Sequence, residues 1–277
     1  MLIKKYGFFL LFAIGFLLHC KEEPVPIPDL KVGSRKVLLE ELSGVNCSNC
    51  PDAAKEIEKI RAATGPENIV SVTIYPGNYG VLSRPLPDSR YDFRFPEADA
   101  LVNHLGAALA IPALSVNRVI QTASDNTPFL ITRTQWGGVV RNELTKQADI
   151  GIFINIAYDK NKREASVRTD LVPEKTLQGD HFITLCITQD SVIDAQNDRN
   201  VILKNYPHRH VLRRFITPPT GEKIQETLQA NALIVKNYNL KLPVEWDETK
   251  CSVVAFVHRG GDPNQEVLQA EEKKIVP

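Results

Sequence analysis

Residues 38–51 read LLEELSGVNCSNCP, and this stretch decides how the N-terminal half is understood. Val37-Leu38-Leu39 is the core of a buried strand, and Cys47 and Cys50 form a C-x-x-C. Pro51 is acceptable in the first turn of a helix, where its missing N–H costs little. Ala53, Ala54, Ile57 and Ile60 then recur with helical spacing, and Gly65-Pro66 stops the helix. A thiol just before a helix N-terminus feels unpaired N–H groups and the positive end of the dipole, which lower its pKa. Cys47 is therefore the candidate nucleophile and Cys50, one turn on, the candidate resolving thiol. The plainer reading of the same pair is a structural disulfide.

Working outward, residues 69–74 (IVSVTI) are β-branched and strand-like. Residues 76–96 hold Gly77, Gly80, four prolines, Tyr79, Tyr91 and Phe93. They form a long irregular insertion, and loops of that length are often functional. A helix is expected over 97–109, a strand over 113–120, and a last helix over 131–147. That helix contains Trp136 and is weakened in its middle by Gly137-Gly138. The character then changes. Segments 150–158, 164–172, 181–188, 210–216, 232–238, 252–258 and 266–270 are strand-like and separated by polar, Gly- or Pro-bearing turns. Short strands with little helix argue for a β-sandwich.

The order strand, C-x-x-C, helix, strand, helix, Ile-Pro, strand, helix resembles the thioredoxin fold. In that resemblance Ile111-Pro112 takes the place of the cis-proline that faces the dithiol and lines the substrate groove. Glu41, six residues before Cys47, takes the place of a buried acid that shuttles the resolving cysteine's proton. Glu40 points to the other side of the strand, so only one of the two can play this part. The plainer reading of Glu41 is an edge-strand carboxylate in water. Asn46 departs from the pattern, since thioredoxins carry Trp there. Residues 38–51 as a whole are similar to the signature of the 28-kDa outer-membrane-protein-related lipoproteins of Bacteroidota. Residues 208–213 (HRHVLR), 254–257 (VAFV) and 266–270 (EVLQA) resemble the same family. The resemblance implies an α/β thioredoxin-like N-terminal domain followed by an all-β immunoglobulin-like sandwich, in an outer-membrane lipoprotein. It supplies no defined reaction.

The N-terminus reads as an export signal. Lys4 and Lys5 precede an apolar run from Gly7 to Leu18, then come Cys20 and Lys21-Glu22-Glu23. Twelve apolar residues are too few to cross a hydrocarbon core of about 30 Å as a helix. A cysteine ending such a run resembles a lipobox, in which Cys20 is acylated, with palmitate-type chains, and becomes the first residue. His19 stands where a small residue is usual. The alternative is an ordinary cleaved signal that leaves Cys20 as a spare thiol. Lys-Glu-Glu after Cys20 resembles a surface-export signal, and its alternative is a charged linker. The expected organisation is a signal over 1–19, a tether over 20–34 bearing Pro24, Pro26 and Pro28, a thioredoxin-like domain over 35–147 and a β-sandwich over 148–277.

The precursor has 33 basic and 33 acidic side chains, and loss of Lys4 and Lys5 leaves the mature chain at −2. Nothing in this balance favours nucleic acid. In an exported chain a disulfide suits Cys47 and Cys50 better than zinc. No cofactor and no metal site is expected. His208 and His210, two apart, share a face if both lie on a strand, but a third ligand is missing. Asp194, Asn197, Asp198 and Asn200 form a polar loop with a faint calcium look and without an EF-hand's glycine and glutamate. Cys186 and Cys251 lie in expected strands and point apart if they occupy opposite faces of one sheet. Two functions stay open: an exported thiol–disulfide oxidoreductase, or a surface lipoprotein for adhesion or ligand capture. The partners are accordingly a membrane, through the lipid on Cys20, and protein thiols or an extracellular protein ligand. The intact mass of the mature protein is expected to show a start at Cys20 with acyl groups attached. A mass without them, or another start, removes the anchor.

Overall fold

The computed structural model describes residues 30–121, 127–261 and 265–276. Cys20, the signal and most of the tether lie outside the described residues. The first half contains β1 (Val37–Leu42), α1 (Cys50–Thr64), β2 (Ile69–Ile74), α2 (Pro96–His104), β3 (Ala113–Val116), β4 (Phe129–Leu130) and α3 (Arg133–Leu144). β1 and β2 pair in parallel, β1 and β3 antiparallel, and β3 and β4 antiparallel, giving the order β2-β1-β3-β4.

Every residue of β1 and β2 is buried. Parallel strands need cover on both faces, so their sequences lack a clean polar side. On one face Val37 and Leu39 pack against Ala53, Ile57 and Ile60 of α1 and Trp136 and Val140 of α3. On the other, Leu38 and Leu42 share a core with Ala98, Leu101 and Val102 of α2. The last two helices are shorter than expected. Gly106, with φ of 78°, closes α2 in the left-handed region. Thr145 ends α3 with its hydroxyl bonded to the Asn142 carbonyl. β3 stops at Val116 because Asn117 and Arg118 both take positive φ.

The second half contains β5 (Ile150–Asp159), β6 (Glu164–Pro173), β7 (His181–Gln189), β8 (Val192–Asp198), β9 (Val201–His208), β10 (Val211–Phe215), β11 (Glu222–Lys223), β12 (Ile234–Lys241), β13 (Cys251–Arg259) and β14 (Val267–Lys274). Its only helix among the described residues is a 3-10 turn at Glu248–Lys250. β12, β6 and β5 form a three-stranded sheet. β14, β13, β7 and β10 continue the sheet of the first half, in the order β14-β13-β7-β10-β2-β1-β3-β4, with β11 on β7. The join is narrow. Val211 pairs with Thr73, and the Thr73 N–H donates to the His210 carbonyl at 2.8 Å.

Alternation along β7 and β13 feeds two cores. Ile183, Leu185, Ile187, Val253, Ala255 and Val257 face the three-stranded sheet, while Cys186, Val254 and Phe256 face the core that holds Leu38 and α2. Charged pairs reinforce this second contact. Arg35 bonds Glu143 at 3.0 Å and the Val267 carbonyl at 2.8 Å. Arg118, fully buried, grips both oxygens of Glu40 at 2.9 and 2.7 Å and lies over the Phe256 ring at 4.8 Å. The fork satisfies the carboxylate, and the ring face adds attraction in a dry site.

The β8–β9 hairpin departs from expectation. The polar stretch from Asp194 to Asn200, read as a loop, lies within a separate two-stranded sheet over 192–208. Its tip is Arg199-Asn200, with φ of 51° and 69°, the paired positive values of a tight hairpin turn. β14 is also longer than expected, because Glu271 to Lys274 continue it as a charged edge of the sheet. Replacing Glu40 by Ala strands the Arg118 guanidinium in the core. The expected loss is roughly 3–5 kcal/mol in urea unfolding, with Glu40→Leu/Arg118→Met together recovering most of it. A loss under about 1 kcal/mol would show that the pair matters little.

Candidate functional site

β1 hands the chain to a short loop whose ends are fixed by backbone bonds. The Ser43 N–H donates to the Ile74 carbonyl at 2.8 Å, the Cys47 N–H to Gly44 at 3.1 Å and the Cys50 N–H to Cys47 at 3.2 Å. Asn49 is the N-cap of α1, so Cys50 is its first helical residue and Cys47 lies just outside. Asp52 puts a negative charge in the first turn, where the dipole favours it. Cys47 and Cys50 form a disulfide with Cα atoms 5.4 Å apart. They are only 3 % and 2 % exposed.

Two other segments converge on this loop. From the 76–96 insertion, the Leu82 carbonyl accepts the Asn46 N–H at 3.0 Å, and Val81 accepts its amide. A Cβ at Gly44 would fall 2.3 Å from that Leu82 oxygen, so the close crossing requires glycine. The insertion is itself pinned by Asp99, which accepts the Gly77 and Asn78 N–H groups. The Ile111–Pro112 bond is cis. Ile111 belongs to the same core as both cysteines and abuts Gly44.

Glu41 lies on the α1 face of β1, opposite Glu40. The Thr73 hydroxyl donates to its Oε2 at 3.2 Å, while Oε1 has no partner among the described residues. Burial pushes its carboxyl up to about 8, against the smaller opposing pull of Thr73. A cavity of about 480 Å³ opens here, and Glu41, Cys50, Ile57, Tyr206 and His208 all line it. The acid and the inner cysteine thus share one space. Across it, the Tyr75 hydroxyl and His208 Nδ1 are 2.9 Å apart, and burial holds His208 down at about 4.

The hairpin from the second half completes the site, and sequence reading missed it. Gln196 Nε2 donates to the carbonyls of Gly44 at 3.2 Å and Cys47 at 3.1 Å. The Asn197 N–H donates to Val45 and its amide to Asn46. The Arg199 N–H donates to Ser48 at 3.1 Å, and its guanidinium to Asp52 at 2.6 Å. The available signal was the turn itself, Arg199-Asn200, with Asn where a positive φ is needed.

The other candidates separate. His208 is buried on β9, whereas His210 has φ of 51° and sits 3.6 Å from Glu58, so the turn between β9 and β10 parts them. Asp194 is fully buried and accepts the Arg90, Tyr91 and Ala195 N–H groups, anchoring the insertion. No group of three metal-ligating side chains occurs among the described residues. Cys186 and Cys251 remain thiols on adjacent paired strands, one in each core. Burial raises both, Cys251 to about 12.

Residues 98–277 match the family described as Outer membrane protein Omp28. The chain belongs to that family. Membership places it in the outer membrane; the C-x-x-C lies outside the matched span. Among solved structures, HBP35 of Porphyromonas gingivalis is similar at 14 % identity and a TM-score of 0.65, over 88 % of this chain and 77 % of that one. That likeness extends across both halves and shows a shared fold. A domain of the outer membrane lipoprotein Omp28 from Porphyromonas gingivalis is 19 % identical, with a TM-score of 0.32, over 47 % of this chain and 90 % of its own. No curated protein matches.

The raised Glu41 carboxyl makes stability depend on pH. From about pH 4.5 to about 8 the folded protein keeps a proton that the unfolded chain releases. The stability from the neutral acid is full below 4.5 and is lost as pH rises towards 8. Unfolding free energies from urea titrations should fall over that window, by up to about 1.4 kcal/mol per pH unit. Glu41→Gln should flatten the curve, and parallel curves would place the charge elsewhere.

Proposed function

We infer that this Omp28-family protein is held at the outer membrane by a lipid on Cys20 and carries a thiol–disulfide exchange centre in a thioredoxin-like segment over 35–147. The observation that carries the reading is the neutral Glu41, whose cavity is also walled by Cys50. A structural cross-link has no use for a buried carboxyl in the space its inner cysteine lines. A proton carrier does. Support for the fold assignment comes from the order β2-β1-β3-β4 and the placement of the dithiol at the end of β1. The sheet of β12, β6 and β5 facing β7 and β13 supports an immunoglobulin-like sandwich over 148–277.

In this reading a substrate thiolate attacks Cys47 Sγ, the Cys47–Cys50 bond breaks, and Cys50 leaves as a thiolate that takes a proton from Glu41. A second substrate thiol displaces Cys47. The substrate ends as a disulfide and the protein as a dithiol, so two electrons pass without a cofactor. Pro112 belongs to the groove that receives the substrate, and protein thiols are the proposed partners.

One observation favours the second reading, a surface lipoprotein for adhesion or ligand capture in which the pair is structural. Both cysteines are buried. Equilibration against glutathione separates the two. A catalytic centre should titrate between about −270 and −120 mV, with Cys47 alkylated before Cys50 after mild reduction. A potential below about −300 mV identifies a structural bond.

A further inference from the structure

We propose that the tip of the β8–β9 hairpin is a latch on the disulfide. Residues 196–199 hold the 44–52 loop closed over Cys47–Cys50, and exchange proceeds when the tip lifts. This rests on the thiol–disulfide reading above.

Attack on a disulfide needs an approach along the S–S axis. With Cys47 and Cys50 at 3 % and 2 % exposure, the loop offers no such path while closed. The hairpin makes the densest set of bonds to that loop. It takes the carbonyls of Gly44, Val45, Cys47 and Ser48 in turn, and then the Asp52 carboxylate. The insertion on the other flank bonds only Asn46. Gln196 is the main fastener. Its amide is buried and reaches the carbonyl of the nucleophile itself. The Arg199 guanidinium is 71 % exposed, so its pair with Asp52 is the weaker one.

The hairpin's tip is free of the main sheets. β8 and β9 pair with each other and with no other strand among the described residues. Two strands alone are marginally stable, and β9 is exposed along Val201 to Asn205. Its root is fixed by Asp194 to the insertion and by His208 to Tyr75. The tip can therefore swing while the root stays, which is a local opening of low free energy.

The test is the rate at which dithiothreitol reduces Cys47–Cys50 in the full mature chain. One reductant thiol attacks Cys47, Cys50 departs, and the second thiol closes the reductant's ring as a disulfide. Gln196→Ala should speed reduction about tenfold, the loss of a net hydrogen bond or two. Arg199→Asp, exposed and so safe for folding, should speed it about threefold. Arg133→Asp is the control, because Arg133 also faces Asp52, at 3.9 Å, but comes from α3. It should leave the rate within about twofold, as expected for an exposed pair outside the latch. Equal rates for wild type, Gln196→Ala and Arg199→Asp would overturn the latch, as would equal acceleration by Arg133→Asp. The glutathione titration is independent of these rates. A potential in the catalytic range with unaltered rates rejects the latch alone, whereas a structural potential rejects the exchange reading itself.

Discussion

Burial of β1 on both faces is the constraint from which the rest follows. A strand inside two cores cannot place a charge on either side cheaply, yet this one carries Glu40 and Glu41 in succession. The two carboxyls solve the same problem differently. Glu40 meets a guanidinium and keeps its geometry as an ion pair. Glu41 finds one hydroxyl and keeps its proton instead. Each solution recruits a distant part of the chain. Arg118 ties β1 to Phe256 in the second half, and the space around Glu41 is closed by Tyr206 and His208. A change of one residue in strand register would exchange the two environments.

The two halves are consequently hard to treat as independent parts. A single bridge of β10 to β2 carries the sheet from one to the other. The cores beneath the sheet are shared more broadly than its hydrogen bonds, since Cys186, Val254 and Phe256 pack with Leu38 and α2. The second half also sends its hairpin back to the cysteine loop. The site is thus assembled from β1, α1, the insertion and the hairpin, and only the first two are contiguous with the C-x-x-C.

What could be read in the sequence follows from what is local. The dithiol helix, the buried strands and most of the later strands carry their period in a few consecutive residues. The opposite facing of Glu40 and Glu41 needs only strand alternation, whereas that of Cys186 and Cys251 also needs the register between β7 and β13. The hairpin was not legible for three reasons. Its turn is Arg-Asn and not Asn-Gly, its outer strand is exposed from Val201 to Asn205, and its partners lie about 150 residues away in the chain. The continuation of the sheet through Val211 was hidden too, because one bridge leaves no pattern. The faint calcium look of the Asp194 loop had a structural source, since Asp194 accepts three backbone N–H groups within the protein.

The contact between the approach to β1 and β14 has a consequence for folding. Arg35, just ahead of β1, donates to the carbonyl of Val267, and Lys36 donates its N–H to Gln269, both on the last strand. The first strand of the fold is therefore fastened by residues 232 and 233 positions further along the chain. The surroundings of β1 cannot be completed until β14 is in place. Such long-range closure is slow. It makes a change in β14 a defect of the first strand's surroundings as much as of the second half.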